Sequence, residues 1–169
     1  MRRLFILLLT LLLSLAMVPV QANTPATPTA SPVASPIAQD DCSGLETYFL
    51  DLADLVREDP ALVTMRGVGF DALALSEAEA NAVVADLDLL IPTVEALAVP
   101  AAAEGYHVAY LAMLIWYRDL AEHRDAASHQ RLINNDRHLF GDLGLGVMQG
   151  QTACGVERWN AAYESAFPD

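Results

Sequence analysis

From residue 41 onward apolar side chains recur at intervals of three and four. Leu45, Tyr48, Phe49, Leu52, Leu55 and Val56 make one stripe on a first helix. Ser43 with Glu46 three residues later predicts a capping box at its start. Asp59-Pro60 stops it and opens a short second helix over Ala61 to Arg66, with Gly67 as the stop signal. Gly67 to Leu75 reads as a connection in which Phe70 and Leu73 plug the core. Ser76 and Glu79 form a second capping box ahead of Ala80, Val83, Leu87, Leu90, Ile91, Val94 and Leu97 at helical spacing. Pro92 lies inside that pattern and cannot donate to the carbonyl of Asp88, which predicts a kink or a break.

Val99-Pro100 separates this element from a helix running from Ala101 to about His123. Its Tyr106 to Tyr117 segment is apolar on nearly every face apart from His107, as in a central helix wrapped by neighbours. Ser128 is the expected cap of the next helix, which carries Leu132, Ile133, Leu139 and Phe140 and stops at Gly141. A glycine-rich connection over Gly141 to Gly150 then leads to a last helix, begun by Cys154, with Val156, Trp159, Tyr163 and Phe167 on one side. Sustained alternation of period two is absent from the sequence. The expected fold is therefore all-α: a single small bundle of five to six helices over residues 41–169, orthogonal or up-down. A domain of about 125 residues buries roughly two-thirds of the surface its unfolded chain exposes, enough for a stable core.

The first forty residues follow other rules. Met1-Arg2-Arg3 precedes an apolar run from Leu4 to Val18, and Val20-Gln21-Ala22 has the small-residue form of a cleavage site, so residues 1–22 read as a signal peptide. An uncleaved membrane anchor is the competing reading, and both send the rest of the chain out of the cytoplasm, to a secreted or cell-surface location. Residues 23–40 are mostly Thr, Pro, Ala and Ser, and repeated prolines disfavour helix there, so the segment reads as an extended, disordered linker. Its hydroxyls next to prolines also suit O-linked sugar. In composition the leader, linker and lysine-free acidic domain resemble exported bacterial proteins of high-GC genomes.

Charge narrows the partners. Nine basic and 22 acidic residues give −13; without Arg2 and Arg3, seven arginines face the same 22 acids, a balance of −15. Such a surface disfavours nucleic acid, and membrane contact beyond the N-terminal segment. Two cysteines are too few for an all-cysteine zinc site. In an exported chain Cys42 and Cys154 are expected to pair as a disulfide; a reactive Cys154 thiol at a helix N-terminus is the alternative.

Four weaker constellations carry the remaining chemistry. Glu104 and His107 stand at i and i+3, the spacing of di-iron bundles, but the pattern occurs once where such bundles need it twice. His123, Asp125 and His129 gather at a turn that can hold zinc or copper if it folds them together, and is otherwise a solvated helix end. Tyr106, Tyr110, Met113, Trp116 and Tyr117 read either as core or as the lining of a pocket for a flat or greasy ligand such as haem. Gly141-Asp142-Leu143-Gly144-Leu145-Gly146 lacks the flanking strand and lysine of a phosphate cradle and reads as a helix stop and turn. Motifs of hydrolase chemistry are absent from the sequence, and no cofactor is expected. The expected role is a non-catalytic binding module for an unknown protein or small ligand, with an extracytoplasmic carrier of a metal or small hydrophobic ligand as the alternative.

Overall fold

A computed structural model describes residues 42–168, and every regular element among them is helical. The leader and linker lie outside the described residues. The helices are α1 (Leu45–Val56), α2 (Pro60–Gly67), α3 (Glu77–Glu95), α4 (Glu104–Glu122), α5 (Ala126–Asp136), α6 (Leu139–Cys154) and α7 (Val156–Ala166), with short 3-10 turns at Ala72–Ala74 and Ala101–Ala103. The sequence stripes become the core. Leu45, Tyr48, Phe49, Leu52 and Val56 of α1 pack with Ala80, Val83, Leu87, Leu90 and Val94 of α3, and with Tyr106, Leu114, Tyr117 and Leu120 of α4. Phe49 is a hub: its ring meets Tyr106, Trp159 and Tyr163 edge-on at centroid distances of 5.5, 5.1 and 5.4 Å.

Local chemistry sets most helix starts as expected. Asp59 caps α2 by accepting from the Leu62 amide at 3.1 Å, and Pro60 follows it. The Ser76–Glu79 capping box of α3 is complete in both directions. α1 instead begins after Gly44, whose φ of 79° is the left-handed turn that carries the chain from Cys42 into the helix, so Ser43 is not its N-cap. Asp125, not Ser128, caps α5, because its carboxylate reaches the Ser128 amide at 2.9 Å. Pro92 does not break α3, which continues one turn beyond it to Glu95. Phe70 and Leu73 do not plug the core; both are exposed, and Ala72 and Leu75 fill that place. Nor is α4 wrapped on all sides, since Val108 and Ile115 remain exposed on it.

The largest departure from the pattern-based expectation is the glycine-rich connection, which is helical. α6 runs through Gly141, Gly144, Gly146 and Gly150, and the chain breaks only at Gly155, whose φ is 83°. Cys154 therefore ends α6 rather than beginning the last helix. Helix propensity argues against such a segment, at about 1 kcal/mol per glycine relative to alanine. Tertiary packing overrides that local preference. Gly146 and Gly150 are four apart and share one face. A Cβ on Gly146 would sit 2.5 Å from the Tyr106 amide nitrogen and 2.6 Å from its Cα; one on Gly150 would fall within the Trp159 indole. α6 thus crosses the start of α4 backbone to backbone, with Gly105 on the facing side.

The Cys42–Cys154 disulfide closes the bundle, joining the residues before α1 to the end of α6 across 112 positions. Arg158 reinforces the junction by donating to the Cys42 carbonyl at 2.9 Å. A loop of that length gives about 4–5 kcal/mol on the chain-entropy account, so reduction should lower the unfolding free energy by that order in denaturant titrations with and without reductant. The glycines of α6 should divide by position in the same assay. Gly150→Ala and Gly146→Ala should each cost about 3 kcal/mol through overpacking. Gly144→Ala, with nothing near its Cβ position, should gain about 0.5–1 kcal/mol.

Candidate functional site

Tyr106, Tyr110, Met113 and Tyr117 follow one another at steps of four, three and four, which puts them on one face of α4. That face forms the floor of a cleft of about 410 Å³. Val56 and Arg57 at the end of α1, Leu62 and Arg66 on α2, Phe70, and Tyr163, Phe167 and Pro168 at the end of α7 complete its walls. The volume is that of a small-molecule site, and half of the lining residues are aromatic.

The rings are held by one another. Phe70 stacks on Tyr117 with centroids 4.9 Å apart and planes 16° from parallel. Tyr106 stacks on Tyr110 at 5.9 Å, and Tyr163 leans on Phe167 at 4.9 Å. Phe70 reaches this position only with a φ of 64°, following Gly69 at 61°. A side chain in the left-handed region costs about 1–2 kcal/mol, and here the cost is met at the wall of a cleft. Burial is the largest cause pushing the Tyr106 and Tyr110 hydroxyls well above the usual phenol range, and it raises Tyr117 as well. They stay protonated across physiological pH and present neutral O–H groups.

All four of these α4 residues were candidate ligand contacts by sequence, and the structure brings them together. Trp116, grouped with them by sequence, points elsewhere and packs edge-on against Phe140 at 5.8 Å. Arg57, Arg66, Phe70 and Pro168 were missed. Their only sequence signal is proximity to helix ends, and which end faces α4 is decided by the chain's path.

The candidate metal residues are not brought together. His107 is buried, and its Nδ1 shares a hydrogen bond of 3.2 Å with the hydroxyl of Tyr48, which its own burial keeps protonated. Glu104, one turn earlier, is exposed and lines a separate surface groove with Gly146 and Gln149. His123 donates from Nδ1 to the Asp119 carbonyl at 3.1 Å at the end of its own helix. Asp125 is occupied as the α5 cap, and hydrogen bonds from the Ser128 side chain and then its amide hold the Asp125 carboxyl below the usual range. His129 is buried and turns to Asp71, with Nε2 3.9 Å from the carboxylate. Among the described residues no group of three or more metal-ligating side chains forms. Neither cysteine is free, so the alternative of a reactive Cys154 thiol is excluded by the disulfide.

No protein family, curated protein or solved structure matches this chain. The site is therefore read on its own geometry.

His107 yields a pH dependence. Burial lowers its pKa below the ordinary 6.5, against a smaller opposing effect of Glu95. The unfolded chain then binds the proton more readily than the folded one, so stability is full above pH 6.5 and declines as pH falls below it. Unfolding midpoints measured between neutral and mildly acidic pH should show this decline. His107→Gln, which cannot take up the proton, should flatten its part of the slope.

Proposed function

We propose that this is an exported, non-catalytic binding protein that holds a small apolar ligand in the aromatic cleft. The observation that carries the reading is the convergence of Tyr106, Tyr110, Met113 and Tyr117 on one face of a cleft of about 410 Å³. Stacked rings give broad apolar contact at little cost in side-chain entropy, and their protonated hydroxyls add orienting donors. The leader and linker support the exported part of the reading, in which the cleft meets ligands outside the cytoplasm.

A second reading, a module that docks another protein, has one observation in its favour. Val108, Leu145 and Met148 lie 66%, 55% and 62% exposed on α4 and α6, and two adjoining surface grooves connect them.

The test is titration with phenylnaphthylamine, a neutral apolar fluorophore whose emission rises in a dry site. One molecule should bind per chain, and Met113→Trp, which fills the cleft, should weaken binding by about tenfold or more while the circular dichroism stays native. Equal binding by wild type and Met113→Trp would exclude the cleft as the binding site and leave the docking module as the better reading.

A further inference from the structure

We propose that the ligand of this cleft is an amphipathic organic anion, with its apolar body against the α4 tyrosines and its charged group between Arg57 and Arg66 at the mouth. The inference rests on the cleft being a binding site and adds the chemistry of what it takes.

The decisive feature is where the arginines stand. Past the leader the chain has seven, against 22 acidic residues. Arg118 is neutralised in place, with Asp88, Asp119 and Glu122 at 3.7, 3.3 and 3.1 Å. Arg57 and Arg66 have no carboxylate partner among the described residues. Arg124, Arg131, Arg137 and Arg158 also lack one, but only Arg57 and Arg66 stand together on the wall of one apolar cleft. They are direct neighbours: Arg66 Nη2 donates to the Arg57 carbonyl at 2.7 Å, and Arg57 Nη2 donates to the carbonyl of Ala166 at the end of α7. Those two backbone bonds hold the side chains in place and use one donor group of each guanidinium. The remaining N–H groups of each fork stay available, in the planar geometry that suits a carboxylate, sulfonate or phosphate.

Asp59, the acid that acts on Tyr110 beside this wall, accepts from the Leu62 amide as the α2 cap. Arg66 and Asp59 also act on the Tyr110 hydroxyl in opposite senses, which places the Arg66 charge within reach of the cleft floor. An anion bound at this wall meets the charge of both arginines. In a chain this acidic, a local positive site also selects: anions are turned away from most of the surface and accepted here.

The experiment compares anilinonaphthalene sulfonate with phenylnaphthylamine, which differ by one sulfonate, on the full oxidised chain. The sulfonate should bind about tenfold more tightly than the neutral probe, with an affinity that falls as salt is raised. Arg66→Gln, at an exposed position, should remove most of that preference by weakening the sulfonate probe far more than the neutral one, whereas Arg66→Lys should retain part of it. Dodecanoate should displace the sulfonate probe at lower concentration than dodecanol. Equal affinity for the two probes, with no effect of Arg66→Gln, overturns the anion and leaves the apolar cleft standing. Sulfonate binding that persists in Met113→Trp overturns it by placing the probe elsewhere. Failure of both probes to bind overturns the cleft reading together with the inference.

Discussion

Two helices approach only as closely as the side chains between them allow, and the crossing of α4 and α6 takes that limit to the backbone. Gly105 lies on one side and Gly146 on the other, with the Cβ position of Gly105 only 3.6 Å from the Gly146 Cα. One turn further along α6, Gly150 leaves room for the six-membered ring of the Trp159 indole. Trp159 in turn packs on Phe49 and Tyr106, so the first, fourth, sixth and last helices meet around one aromatic cluster. Larger residues at these glycines would force the helices apart and displace the indole. The core is close-packed, and such a shift would be transmitted through it rather than absorbed locally.

The same crossing fixes which face of α4 lines the cleft. Its helical rotation sets Gly105 and Ala109 beside α6 while Tyr106, Tyr110, Met113 and Tyr117 face the cleft. A helix held this firmly on one side can line a cleft on the other, where the ends of α1, α2 and α7 and the strained Phe70 supply the walls. The disulfide ties the end of α6 to the entry of α1, and Arg158 bonds the same junction. The histidines, by contrast, serve the scaffold one at a time: His107 bonds to Tyr48, His123 bonds to its own helix end and His129 turns to Asp71. Their dispersal leaves the tyrosine face as the place among the described residues where several functional side chains converge.

The amino-acid order by itself determined the helical class, the stripes on α1 and α3, the Asp59 and Ser76 caps, the pairing of the two cysteines and the common face of the α4 tyrosines. Each of these is written in spacing within a few residues, or in a cysteine count so small that only one pairing exists. Tertiary structure alone decided that Gly141 to Gly150 is helix, because the gain comes from residues forty positions earlier and nine positions later, Tyr106 and Trp159, that local propensity cannot register. It also decided that Phe70 leaves the core for the cleft, and that Arg57 and Arg66 stand side by side at its mouth. Those outcomes depend on where separate helix ends meet in space, and a one-dimensional pattern holds no term for that distance.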